Sequence, residues 1–275
     1  MRIDSHQHFW QYHPHKHAWI DDSMKVIQRD FLPIDLKPLL DKEGFDGTVV
    51  VQADESLEEN TFLLDLAAQN PWIKKVVGWV DLCSENILTD LEKYAQEQNM
   101  TGFRMILQGQ PPELMAASSF RNGISNLEKF GFTYDILIFP HHLDEAIDLV
   151  SQFPHQPFVI DHLAKPYIKD GKIDKWATKM NVLAERENVF CKVSGMVTEA
   201  DWSNWTKEGL KPYLDVVFGA FGTKRLMFGS DWPVAKVAAD YPLNVSIVQD
   251  YIKQLSQDEQ ADIMGNTAAL FYNIK

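Results

Sequence analysis

Cysteine is scarce. The chain has two in 275 residues, Cys83 and Cys191. One bridge at most can form, which excludes a disulfide-held scaffold. Neither sits in a Cys motif, so both read as reduced thiols of a cytoplasmic protein. Basic residues are outnumbered, 26 Lys and Arg against 39 Asp and Glu, for a net charge of -13. Such a chain lacks the basic face that phosphate backbones require, so nucleic acid is not an expected partner. The same charge disfavours an anionic membrane surface. Apolar runs fall short of the ~18 residues that span a bilayer, and the opening Met1-Arg2-Ile3-Asp4-Ser5-His6 has no signal-peptide core. Glycine (14) and proline (13) are too few for collagen or low-complexity chains.

Several motifs are missing as well. There is no Gly-x-x-x-x-Gly-Lys-Ser/Thr loop, no Gly-x-Gly-x-x-Gly turn and no His-Glu-x-x-His. Val193-Ser194-Gly195 lacks the flanks of a nucleophile elbow. Nucleotide use, hydride transfer, zincin proteolysis and serine hydrolysis all lose support.

What is present is a rhythm. The chain is 45% hydrophobic, enough for a large core. Short apolar runs predict strands at Arg2–His8, Thr48–Gln52, Val76–Asp81, Gly102–Met105, Thr133–Phe139, Phe158–His162, Val189–Ser194 and Leu226–Ser230. Their starts lie 46, 28, 26, 31, 25, 31 and 37 residues apart, close to the ~30 residues of one strand plus its return helix. Amphipathic stretches fill the gaps. One follows the capping box Ser56-Leu57-Glu58-Glu59 and another follows Ser84. Further ones run from His142 to Phe153, from Asp174 to Glu187, and after the capping box Ser256-Gln257-Asp258-Glu259. Eight such units without a linker predict an α/β fold, a (β/α)8 barrel spanning 1–275 as one domain. A doubly wound open sheet is the alternative.

Barrel chemistry gathers where strands end. His6 and His8 share a strand face, since side chains alternate with period two, and Asp4 is expected on that face too. Two imidazoles so spaced can chelate a metal or donate to an anionic oxygen. If Phe158 and Ile160 fill the barrel, His162 points into the mouth and Asp161 points outward in a structural or orienting role. Asp231 ends the eighth strand beside the first, where a carboxylate can act as general base or ligand. Arg104 ends the fourth and suits a carboxylate or polarised carbonyl. Gln52, Lys165, His142, Trp10 and Trp232 are positional candidates for substrate contact; Asp81 is a weaker one. His13, His15 and His17, in the long first loop, read as solvated.

Taken in order, these words resemble a known family. Asp4-Ser5-His6-Gln7-His8-Phe9-Trp10, Gly78-Trp79-Val80-Asp81, Gly102-Phe103-Arg104, Asp161-His162-Leu163-Ala164-Lys165-Pro166, Cys191-Lys192-Val193-Ser194-Gly195 and Gly229-Ser230-Asp231-Trp232-Pro233, with Asn266 and Phe271-Tyr272, are similar to the amidohydrolase superfamily. Within it they resemble the amidohydrolase 2 branch of sugar lactonases and 2-pyrone-4,6-dicarboxylate lactonase. The resemblance spans nearly the whole chain. It implies a barrel hydrolase that opens a sugar-derived lactone, an aldono-1,4-lactone such as L-fucono- or L-rhamnonolactone. Binuclear members carry a bridging lysine or glutamate near the end of strand four. Arg104 stands there instead, which implies one divalent ion, zinc before others, or none. His6, His8, His162 and Asp231 are the ligand set. In the expected mechanism Asp231 activates water, while the histidines, Arg104 or the ion stabilise the oxyanion. The partner is then a small-molecule lactone, and a homo-oligomer is compatible with the sequence. Two other readings compete: decarboxylation of an aromatic or unsaturated acid, and non-catalytic binding of a sugar acid.

Overall fold

The computed structural model describes all 275 residues. Eight parallel strands follow one another in chain order around one sheet: β1 (Ile3–Gln7), β2 (Gly47–Val51), β3 (Ile73–Gly78), β4 (Met100–Met105), β5 (Thr133–Ile136), β6 (Phe158–Ile160), β7 (Val189–Val193) and β8 (Leu226–Phe228). The circle closes where the chain leaving β8 runs beside β1. There Asp231 N–H donates to the His6 carbonyl at 2.8 Å, and His8 N–H donates to the Trp232 carbonyl at 2.7 Å. Helices cover the outside, giving the (β/α)8 barrel. None of them is long and apolar enough to cross a membrane.

The local signals act where the sequence puts them. Ser56 caps the helix Leu57–Gln69 by accepting from Glu59 N–H, and Asn70 ends it. Ser256 and Glu259 form a reciprocal capping box before Gln257–Ala261. β3 lies three residues earlier than expected, because Lys74 and Lys75 mask its start in the sequence. Past Gly78 the backbone leaves the ladder, and Trp79 N–H donates to Asn60 Oδ1 at 2.7 Å. The helix at Asp174 ends at Ala184 rather than Glu187.

Two apolar layers hold the barrel. The larger lies between the sheet and the helices, and contains Phe158 and Ile160 of β6. The smaller contains Ile3, Val49, Val51, Val77, Val159 and Met227 from the strands, joined by Ala268, Phe271 and Tyr272. The helix Thr267–Phe271 thus seals the end away from the strand C-termini, and the Tyr272 carbonyl accepts from Thr101 Oγ1 at 3.0 Å. The expected parity of β6 is therefore reversed: Val159, not Phe158 or Ile160, faces inward.

Candidate active site

Above the inner valines the barrel turns ionic. Lys192 on β7 is fully buried, an unusual place for an ammonium unless it is paired. Its Nζ pairs with Asp135 on β5 and lies 3.0 Å from Asp161 Oδ1. Arg104 on β4 donates from Nη1 to Asp161 Oδ2 at 3.0 Å and from Nη2 to the Gln52 carbonyl at 2.5 Å. Two cations thereby face two carboxylates in a buried layer. Burial pushes Asp161 towards the neutral acid, but Lys192, His6 and Arg104 outweigh it and hold the carboxyl far below its usual range.

His6 stands on this layer. Gly229 makes room for it: a Cβ there would lie 2.7 Å from His6 Cβ. His6 Nε2 approaches His8 Nε2 to 3.2 Å, and His8 Nδ1 lies 2.8 Å from the Val51 carbonyl. A carbonyl only accepts, so His8 carries its proton on Nδ1 and turns a bare Nε2 to the cavity. Asp231 Oδ1 lies 3.5 Å from His8 Nε2 and 3.8 Å from His162 Nε2. Burial raises the Asp231 carboxyl, yet His162 and His8 together bring it below the ordinary value. His162 is lowered by burial to about 4.

Backbone conformation delivers the β6 and β8 residues. After Asp161 the chain makes a left-handed turn in which His162, Leu163, Ala164 and Lys165 all have φ between 50° and 56°. Asp161, expected to point outward, lies inside the barrel on the parity of Val159. The reversed turn brings the next residue, His162, to the same mouth. Gly195 accommodates it, since a Cβ there would come within 2.6 Å of the His162 ring. Asp231 also has positive φ, 53°. Non-glycine residues rarely take this conformation, at a cost of roughly 1–2 kcal/mol each. Asp4, expected beside His6, faces the helix layer instead, where its carboxylate accepts from Ser230 N–H at 2.8 Å and from the Tyr241 hydroxyl at 3.1 Å. A register shift between Asp4 and Gln7 breaks the alternation.

The mouth is a cavity of about 320 Å³ lined by His8, Arg104, His162, Lys165 and Asp231, with Trp19, Met24, Leu137, Trp202 and Val234 as its apolar wall. Lys165 Nζ pairs with Glu199 at 3.1 Å. Other candidates lie elsewhere. Trp10 is buried in the first loop, its indole N–H given to the Arg29 carbonyl at 2.8 Å. Trp232 is buried against Phe9 and Phe31. His142 pins a loop through the Gln110 carbonyl, 2.9 Å from Nε2. None of the three lines the cavity. Gln52 acts at one remove, its Nε2 donating to the Arg104 carbonyl at 3.1 Å. Asp81 accepts from Cys83 N–H in a turn. His13 and His15 are exposed as expected, but His17 is buried, stacked on Tyr12.

Sequence reasoning missed Lys192 and Asp135 as working residues. Their signal was a charge inside an apolar strand, Phe190-Cys191-Lys192-Val193 and Tyr134-Asp135-Ile136. It also missed Glu199 and Trp202, which sit on loops or short helical turns and carry no periodic signature.

The donor set can hold one divalent ion. His6 and His8 with Asp231 offer ligand atoms within 4.8 Å of one another, all on buried side chains. Around an ion with bonds of about 2.0–2.1 Å, tetrahedral ligand atoms stand roughly 3.4 Å apart. The 3.2 Å and 3.5 Å separations of His8 Nε2 from its two neighbours match that spacing.

Comparison with known proteins identifies the family of the chain. The amidohydrolase family model matches residues 3–274. An L-fucono-1,5-lactonase of Burkholderia ambifaria is 35% identical, over 100% of this chain and 96% of that one. A crystal structure of an amidohydrolase from Burkholderia multivorans with bound zinc superposes with a TM-score of 0.97 at 34% identity, covering both chains fully. An L-rhamnono-gamma-lactonase of Scheffersomyces stipitis is 24% identical over 63% of this chain and 59% of that one. With the imidazole pair at the end of β1, the histidine after β6 and the carboxylate after β8 all in one mouth, and with a family match running from β1 to the C-terminal plug, the chain belongs to the amidohydrolase family.

Proposed function

We propose that this protein is a lactonase that hydrolyses a sugar-derived aldonolactone of the L-fuconolactone class. The observation that carries the reading is the triangle of His6 Nε2, His8 Nε2 and Asp231 Oδ1 at the mouth, in a chain aligned end to end with an L-fucono-1,5-lactonase. The relatives' names cover both 1,5- and gamma-lactones, so both ring sizes are candidate substrates.

His6, His8 and Asp231, with His162 alongside, would hold one zinc ion. When bound it supplies Lewis acidity to the ring carbonyl and acidifies water. The chain's own groups account for the rest. The apolar wall of Trp19, Met24, Leu137 and Trp202 excludes bulk water and covers one face of the ring. Lys165 and Glu199 present a donor and acceptors for ring hydroxyls. Asp231, ionised at neutral pH, takes a proton from the attacking water. The new C–O bond places negative charge on the carbonyl oxygen. Arg104, anchored to Asp161 and Gln52, faces the cavity as a fixed cation for that charge. The bond from carbonyl carbon to ring oxygen then breaks. The proton held by Asp231 passes to the ring oxygen, and the open aldonic acid ionises.

A pH-indicator screen of aldono-1,4- and 1,5-lactones, run on metal-stripped and zinc-reloaded protein, tests this. Turnover of a 6-deoxy aldonolactone by the reloaded protein is expected. No turnover of any aldonolactone in either form refutes it.

A further inference from the structure

His6 has more neighbours than one imidazole can use at once. Its Nδ1 lies 3.0 Å from Lys192 Nζ and 3.3 Å from Asp161 Oδ1. Its Nε2 lies 3.2 Å from His8 Nε2 and 3.3 Å from Arg104 Nη1. A neutral ring carries one N–H. With the proton on Nε2, Lys192 donates to Nδ1, and Nε2–H donates to the bare Nε2 of His8. With the proton on Nδ1, that N–H goes to Asp161 Oδ1, and Arg104 donates to Nε2. Each tautomer is served by two neighbours, and the two sets share no member. The shorter pair serves the Nε2–H form. Asp161 Oδ1 adds an independent sign. It is buried and accepts no hydrogen bond, although it pairs with the Lys192 charge at 3.0 Å. A carboxylate oxygen so placed gains its missing donor only from His6 Nδ1–H.

We propose that His6 is a two-tautomer element: Lys192 holds its proton on Nε2 in the metal-free protein, and Asp161 receives an Nδ1–H when zinc binds. This rests on reading His6 and His8 as ligands. Only the Nδ1–H form leaves both Nε2 atoms bare. The change is balanced, one proton leaving Nε2 and one arriving at Nδ1. Lys192 keeps Asp135 as its acceptor and Asp161 as an ion-pair partner. Tyr272 steadies the ammonium from below, its hydroxyl donating to Asp135 Oδ2 at 2.9 Å and its ring centroid 5.4 Å from Nζ. Lys192 and Asp161 are positioning residues, and the His6–His8 hydrogen bond keeps the ligand pair closed until an ion competes for it.

The test is 15N NMR of histidine-labelled protein, with His6 signals assigned by their loss in His6→Asn. Wild type without metal is expected to show His6 as Nε2–H, and zinc titration to convert it to Nδ1–H. An Nδ1–H form before zinc, or no change on adding it, overturns the proposal. Chelator competition gives a second readout. Asp161→Asn is expected to weaken zinc by about 10–100-fold and leave the metal-free tautomer as it is. The charge-balanced double variant Lys192→Met with Asp135→Asn is expected to bind zinc more tightly and to show Nδ1–H without it. Equal zinc affinity in all three proteins overturns the proposal. Should the double variant fail to fold, the wild-type spectra decide. No readout needs turnover, so a missing lactonase activity would sink the proposed function without touching this one.

Discussion

The ends of β1 and β6 each deliver two polar side chains to the same mouth, by different means. β1 uses extended backbone, and His6 and His8 face inward because they are two apart. β6 places the adjacent residues Asp161 and His162 inward by reversing its handedness for four residues. The end of β8 follows β6, with Asp231 at positive φ. Both ends have room made nearby, at Gly229 for His6 and at Gly195 for His162. Only the left-handed backbone adds a conformational cost. The comparison separates chemistry that comes with the strand from chemistry held against local preference.

The strongest way to break the contrast is at β8. Asn tolerates left-handed backbone as well as Asp does, so Asp231→Asn keeps the fold while it removes the base and weakens one zinc ligand. A fall in kcat of about 10²–10⁴-fold is expected in steady-state kinetics. Full turnover would strip Asp231 of its role. Next comes Gly195→Ala. The added methyl would crowd the His162 ring, and even ~1 Å of misplacement can cost on the order of 10²-fold in rate. Unchanged kcat in this variant would mean that the β6 turn carries no functional geometry.

A stability measurement then tests the turn itself. Ala164→Val places a branched side chain at φ 56° in a buried site, a conformation that β-branched residues resist. A loss of about 2–4 kcal/mol by urea unfolding is expected, from strain plus overpacking. The smallest effect concerns β2, which ends without reversed backbone and is held by Glu59, whose carboxyl accepts from Ala53 N–H at 3.0 Å. Burial lifts this carboxyl from 4.5 to about 7. Between those values the folded chain binds more protons than the unfolded one. Glu59 therefore favours folding most below 4.5, and that contribution is lost as pH rises through about 7. Glu59→Gln should flatten the slope of stability between pH 5 and about 7; an unaltered slope assigns it to another group.

What could be read in advance follows the same division. All eight strands were legible because short apolar runs recur about every 30 residues, with capped helices between them. His6, His8 and Asp231 were legible as a site because barrel ends collect reactive groups. The inward side of Asp161 was not, since Phe158, Val159 and Ile160 are all apolar and leave the parity of β6 unmarked; nor was the left-handed run that brings His162 in, since no glycine announces it. Asp4 was misplaced because a register shift is invisible to simple alternation. Lys192 and Asp135 stood in plain view as charges within apolar strands, but their pairing is a tertiary fact. Trp10 and Trp232 were assigned to the mouth by proximity in sequence, whereas their large apolar surfaces are worth more in the core.

The plug at the base of the barrel has a consequence for assembly. Asp135 comes from the fifth strand, yet the hydroxyl that steadies it belongs to Tyr272, which lies beyond the eighth. A chain shortened ahead of that tyrosine could still wind all its strands while water reached the paired charges from underneath. Competence at the mouth therefore depends on a residue at the far end of the chain as well as on the strands that carry the reactive groups.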